Sequence, residues 1–418
     1  MTQPLPRPPK KDPQKRTNLP AMPPTPRSRQ AFAFSAYAAE GRLALQQCNA
    51  CGKLTYPARD ACPSCLSVDL AWCDVPAGGS VLAETTIRTS TNTYFRERTP
   101  WRAGLVALDC GVTLVAHIHG DVAEVGRVRI VARTDRSGQG IVIALPEKDS
   151  EHMEDDRQWR EVTADPKHRR VLVTDGRTPL GQAMAAALAK AGAASIFVGL
   201  SETWRPFEGE AALKALPNVE PFDLDVTDTD SVRELAGEIG GKTDILINTA
   251  EHVRPGGPMD RDGVTTARDE MEVNYFGLWR LIQAFGPAMK FRGADGDNRA
   301  AAFVNLFPVD ALLPSKAFGG ADASHAAALA LTHTLRADMA GSGVKVVNVF
   351  TGPLEEPWRQ LLPPPKVTPA HAASATIRAL QEGLEEVTVG AVADDLYQRW
   401  RADPSALARE TLQTDPGP

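Results

Sequence analysis

Two Cys-x-x-Cys pairs, Cys48-Asn-Ala-Cys51 and Cys62-Pro-Ser-Cys65, lie ten residues apart and constrain this chain more than any other feature. Each pair sets two thiolates on one tight turn. Two facing turns supply four sulfurs in a tetrahedron, the closed geometry of structural zinc. Gly52 suits the turn after the first pair, and Pro63 stiffens the second. Redox pairs of this spacing open a helix after a strand, which is not the context here. Four thiolates leave no open coordination position, so the expected metal is structural and not catalytic. Cys73 and Cys110 stand alone and read as ordinary buried thiols.

The 418 residues suggest two or three domains. Residues 1–30 hold seven Lys/Arg, one Asp and nine Pro, a composition that predicts a disordered tail. Net charge is nevertheless −6, so the body is acidic, which argues against nucleic acid as the main ligand. No apolar run approaches the ~20 residues of a membrane span, and no signal peptide is evident. A cytoplasmic protein without membrane contact is expected.

Ala31–Leu45 reads as a short helix leading into a zinc ribbon over 31–77. Over 78–147 short β-rich runs follow, among them Val81–Ile87, Gly104–Leu108, Thr113–Ile118 and Val125–Ala132, which predict a small barrel. Residues 148–168 read as a charged linker. From 169 to 400 strands alternate with helices, beginning at Val171–Val173, Ala183–Ala191 and Ser195–Leu200. That alternation predicts a doubly wound parallel sheet of Rossmann type. Residues 401–418 are polar and are expected to fray.

The run from Glu40 to Pro57, with Cys62-Pro-Ser-Cys65, Gly78-Gly79-Ser80-Val81 and Pro100-Trp101, resembles an acyl-CoA-associated family with a rubredoxin-like zinc ribbon and an OB-fold. The resemblance covers about residues 31–147. It implies a module that partners a thiolase-like, aldolase-like or hydratase enzyme acting on CoA thioesters. OB-folds often bind nucleic acid, but this one lacks a dense Arg/aromatic face.

Residues 169–400 resemble a short-chain dehydrogenase/reductase with its motifs altered. The phosphate loop Thr-Gly-x-x-x-Gly-x-Gly reads Thr174-Asp175-Gly176-Arg177-Thr178-Pro179-Leu180-Gly181. Asp175 and Pro179 replace two glycines, adding a carboxylate and removing an N–H where a pyrophosphate would approach. A nicotinamide dinucleotide, NAD(P), is therefore not expected, although Thr174, Gly176, Gly181, Asp225, Val226 and Asn248 stand where the resemblance puts cofactor contacts. Glu202 reads as a solvated loop carboxylate. Asn248-Thr-Ala-Glu251 has lost the glycine of its motif. Of the four catalytic positions, Asn274 alone matches the family. Pro308, with Phe307, holds the Ser position, Ala321 the Tyr position and His325 the Lys position. Without the phenol, hydride transfer lacks its proton donor.

These readings predict a non-catalytic accessory protein of acyl-CoA metabolism. Its ribbon and OB half would engage a thiolase- or aldolase-like enzyme. Its Rossmann half would dock on itself or on an active dehydrogenase through the Ala/Leu-rich stretch Ser324–Met339. The alternatives are an active NAD(P)-dependent oxidoreductase of 3-hydroxyacyl- or 3-ketoacyl-CoA and, third, an OB-fold nucleic-acid binder.

Overall fold

The computed structural model describes residues 2–10, 21–25, 28–123, 126–293, 296–360 and 362–414. Helix α1 (Ala31–Ala39) stops six residues earlier than the sequence pattern suggests. Gly41, at φ +78°, turns the chain in the left-handed region after it. Residues from Ala44 onward are then free to pair as strands β1 (Ala44–Cys48), β2 (Leu54–Thr55) and β3 (Leu70–Asp74), in the order β2-β1-β3. This small sheet carries the cysteine turns.

Five strands close a barrel: β4 (Gly78–Ile87), β5 (Trp101–Leu108), β6 (Thr113–Ile118), β7 (Arg127–Thr134) and β8 (Gly140–Pro146). Their order β4-β5-β6-β8-β7, with β7 returning to β4, is that of an OB-fold. Alternating residues such as Val106, Leu114, Ile118, Ile130 and Val142 fill the interior. Phe34 of α1 and Leu43 and Leu45 of the ribbon join the same core, so ribbon and barrel fold as one unit. Cys73 is half-buried and donates to the Leu45 carbonyl, and Cys110 packs against the barrel core.

The third unit is a seven-stranded sheet, parallel throughout, in the order β11-β10-β9-β12-β13-β14-β15. Its strands are β9 (Arg170–Val173), β10 (Ser195–Leu200), β11 (Val219–Asp223), β12 (Ile245–Asn248), β13 (Ala302–Pro308), β14 (Lys345–Thr351) and β15 (Glu386–Val389). Strands buried on both faces need apolar residues at every position, and β14 is buried throughout. Val171, Val173, Ile245 and Ile247 pack on one helical layer, and Leu172, Leu246 and Phe303 on the other.

Three segments differ from the sequence expectation. Residues 148–168 form short turns, including a helix at Arg157–Arg160, and bury Trp159 and Val162 against Val131, Ile143 and Leu145 of the barrel. Residues 2–10, expected to be disordered, lie against the body. The Leu5 amide donates to Asp155, His168 meets the Leu5 carbonyl, and Asn298 donates to the Pro9 carbonyl. Such a segment needs no core of its own once its backbone groups find partners. At the other end, Pro404–Thr414 is helical and Leu407 is buried.

The barrel docks on the edge where the parallel strands begin. Lys345 Nζ, at the start of β14, donates to Thr134 Oγ1 at 2.6 Å and to Glu385 at 3.1 Å. Arg136 reaches the Gly293 carbonyl at 2.5 Å, and the Glu385 amide donates to the Ala39 carbonyl. The opposite edge, where the strands end, stays clear of the barrel and holds the motif residues described next.

Candidate functional site

The four cysteine sulfurs lie within 4.8 Å of one another. Cys48 and Cys65 are 3.5 Å apart, and Cys51 and Cys62 3.6 Å. A tetrahedron of ~2.3 Å Zn–S bonds has edges of about 3.8 Å, so the donor set fits zinc. The Ser64 and Cys65 amides lower the Cys62 thiol to about 6. At Cys65 the Ser67 amide acts downward, but the neighbouring sulfurs outweigh it and push the thiol to about 12. One thiolate already forms near neutrality and discourages the next, a conflict that a divalent cation resolves.

In the Rossmann unit the phosphate loop leaves β9 and enters the helix Pro179–Lys190. Gly181 is required there, because a Cβ would come within 1.7 Å of the Asp175 carbonyl. Three of the loop amides are already taken. Gly176 N–H donates to the Gly199 carbonyl, Arg177 to the Asp175 carboxylate, and Gly181 to the Thr178 hydroxyl. Pro179 has no N–H, and the Glu356 carboxyl lies near the Leu180 amide. Burial raises the Asp175 carboxyl. Burial, then the charge of Glu251, raises Glu356 to about 7. A carboxylate thus sits at the helix N-terminus, where an anion is favoured. The loop as built does not fit a pyrophosphate.

The other residues expected at cofactor contacts bond within the chain as follows. Thr174 donates its hydroxyl to Asn248 and accepts from the amides of Thr249 and Ala250, clasping β9 to β12. Asp225 is exposed and accepts from the Thr227 amide and hydroxyl, while Val226 is buried against Gly277. Glu202 is exposed, as expected.

At the catalytic positions, Asn274 sits in a π-helical turn. It accepts from the His252 amide and donates to the His252 carbonyl and to Ser324 Oγ. Pro308 ends β13, and Ala321 is sealed in an apolar contact with Val253 and Phe318. The largest departure is an ion network. Arg359 makes a two-pronged bond to Glu251, at 2.8 and 2.5 Å, and His325 Nε2 lies 3.3 Å from the same carboxylate. Burial works against the Glu251 charge, but Arg359 and His325 hold it at about 2. Burial lowers His325 despite Glu251, which favours the neutral imidazole beside that carboxylate. Arg359 also lies 3.5 Å from Glu356. A cross-link of this chain's own charges therefore joins the loop after β12 to the segment after β14.

Sequence reading missed Arg359, Glu356 and two further buried acids, Asp310 and Asp322. Asp322 accepts from the Ser315 amide and hydroxyl, and burial, then Asp310, raises it to about 7. The signal for Arg359 was indirect. A glutamate replacing a motif glycine at a strand end demands a cation, without indicating which one.

Three family models match the chain: "short chain dehydrogenase" over residues 169–364, "ChsH2, rubredoxin-like zinc ribbon domain" over 35–71, and "ChsH2, C-terminal OB-fold domain" over 72–133. An NADPH-dependent 1-acyldihydroxyacetone phosphate reductase of Schizosaccharomyces pombe is 31% identical over 138 residues, which are 32% of this chain and 44% of that one. A 1-deoxy-11-beta-hydroxypentalenate dehydrogenase of Streptomyces avermitilis is 28% identical over 56% of this chain and 84% of its own length. The chain spans only 44% and 40% of the first two curated relatives. A short chain dehydrogenase from Burkholderia cenocepacia, solved in complex with NADP, is 30% identical with a TM-score of 0.52, covering 60% of this chain and 98% of that one. Among the described residues no helix is long and apolar enough to cross a membrane. In its Rossmann half the chain belongs to the short-chain dehydrogenase family, and it carries ahead of that half a zinc ribbon and OB-fold of the ChsH2 type.

Proposed function

We propose that this chain is a non-catalytic accessory protein of acyl-CoA metabolism, its Rossmann half kept for its surfaces. One observation carries the reading: the Glu251–Arg359–His325 network stands where the family places its cation, with no phenol beside it. Hydride transfer to a carbonyl needs an acid at the developing alkoxide. Here the Tyr position is a buried alanine and the imidazole is committed to Glu251. The ribbon and barrel engage a thiolase- or aldolase-like enzyme. Phe276 and Trp279, both exposed beside the helix Gly319–Met339, offer a surface for a second copy or an active dehydrogenase.

A second reading is an active NADP-dependent oxidoreductase of 3-hydroxyacyl-CoA. Asp322 and Glu356, both raised to about 7, favour it as relocated proton donors. One assay separates the two. Zinc-loaded protein is titrated with NADPH by fluorescence and then given 3-ketoacyl-CoA. The accessory reading expects no NADPH binding at 1 mM and no turnover above buffer, together with co-purification of a co-expressed thiolase-like enzyme. Unaided turnover overturns it.

A further inference from the structure

Between the barrel and the beginning of the Rossmann strands lies a cavity of 480 Å³, within the size range of small-ligand sites. It is remote from the dinucleotide cleft, which opens at the other edge of the sheet. Its floor is the helix Arg157–Arg160 with Glu161, one wall is the stretch before β9, and its roof is residues 5–9. Seven Arg/Lys side chains line it against two glutamates.

Charge pairing inside this cavity does not close. Arg160 is met by Asp165 at 3.1 Å and Lys167 by Asp155 at 2.5 Å. Glu161 is shared by three guanidiniums: Arg98 at 3.0 Å, Arg299 at 3.3 Å and Arg136 at 3.9 Å. Among the described residues, the buried Arg169 bonds only the carbonyls of Asp165 and Arg299, and Arg157 only the Glu97 carbonyl. The roof then adds Arg7, one more cation facing an unbalanced set. Burial and then Arg299 lower Arg169 to about 9 and Arg136 to about 10, as crowded guanidiniums require. Buried like charges are costly unless an opposite charge joins them.

We propose that this cavity binds a phosphate-bearing polyanion, the diphosphate or bisphosphate end of a nucleotide. Guanidinium forks match phosphate oxygens in pairs, and a group of charge −2 or more would balance the excess. Free pyrophosphate and the 3′,5′-bisphosphate end of a coenzyme A both present this chemistry. The proposal stands apart from the accessory reading, because it uses no residue of the dinucleotide cleft.

The test is calorimetry of the full-length, zinc-loaded chain with inorganic pyrophosphate, adenosine 3′,5′-bisphosphate and NADPH. Pyrophosphate and the bisphosphate bind, and their affinity falls steeply with salt. A bisphosphate at least tenfold tighter than pyrophosphate identifies the coenzyme A type of ligand; equal affinities identify the phosphates alone. Arg157→Glu and Arg7→Glu, both exposed, each weaken binding at least tenfold without moving the unfolding temperature. Arg127→Gln, at the far end of β7, leaves binding unchanged. The proposal is overturned if neither small probe binds at 1 mM, or if Arg127→Gln weakens binding as much as Arg157→Glu. NADPH binding that ignores Arg157→Glu, with neither smaller probe bound, also overturns it; that result would sink the accessory reading instead of supporting it.

Discussion

The two edges of the Rossmann sheet carry opposite charge in this chain. Where the strands end, Asp175, Glu251, Asp310, Asp322 and Glu356 crowd around one arginine and one neutral histidine. Where the strands begin, Glu161 faces three guanidiniums, and the buried Arg169 bonds the carbonyls of Asp165 and Arg299. Open sheets of this kind bind phosphates at the strand ends, through loop amides and a helix N-terminus. That capacity belongs to the loop and not to the sheet. When the loop spends its amides on its own carboxylates, the same β-α architecture becomes anion-repelling at that edge. The basic excess at the other edge comes mostly from outside the Rossmann unit: Arg157, Arg160 and Lys167 of the connector, Arg98 of the barrel and Arg7 join Arg169 and Arg299.

Removing the anion that holds the basic edge together has the largest expected effect. Glu161→Gln leaves three largely buried guanidiniums without their common partner and should destabilise the chain by about 5 kcal/mol, read from urea unfolding. Pyrophosphate should restore part of the loss, because a ligand of the folded state stabilises it by mass action. At the acidic edge Arg359→Ala strands Glu251 and should cost about 3 kcal/mol, less because His325 remains as a partner. Adding Glu251→Ala should recover part of that cost, the mark of a coupled pair. If the two single variants cost the same and neither is rescued, the contrast between the edges is wrong.

The acids also predict a pH profile. Glu356 and Asp322 have folded values raised to about 7, so their contribution is full in acid and is lost as pH rises through 7. Glu251 and Glu161, held at about 2, contribute above the ordinary carboxylate range and lose that contribution as pH falls toward 2. Stability should therefore peak on the acid side of neutrality and fall by about 5 kcal/mol between pH 5 and 8. Glu356→Gln with Asp322→Asn should flatten that upper limb and leave the acid limb in place. A profile still rising at pH 8 would contradict the placement of these acids.

Much of this was legible in the sequence because its signals are local. The cysteine turns, the alternating barrel strands and the altered phosphate loop each lie within a dozen residues, so composition and spacing carry them. Thr174 and Asn248 were identified as cofactor contacts, yet they meet each other across two strands, a pairing no periodicity reveals. Arg359 lies 108 residues from Glu251, on a segment without regular pattern. The connector looked like a solvated linker because its charges outnumber its apolar residues. Trp159 and Val162 are enough to bury it, and its charges pair across the interface. Residues 2–10 lack a core of their own, and composition could not show that a neighbouring groove supplies their hydrogen-bond partners.

The smallest expected effect separates the loop from the segment that fills it. Asp175→Gly with Pro179→Gly restores both motif glycines, removes one buried acid and returns an N–H to the first turn. If the loop alone blocked a dinucleotide, this variant would bind NADPH. Glu356, however, still lies near the Leu180 amide at the helix N-terminus. Two negative groups in one dry site repel. NADPH fluorescence should thus stay unchanged in the double variant. It should respond only when Glu356→Ala is added, with a dissociation constant near ~1 mM, worth about 4 kcal/mol. Binding by the double variant would move the block from the segment after β14 to the loop itself, and Glu356 would then be a bystander at an edge whose charge does not decide what it binds.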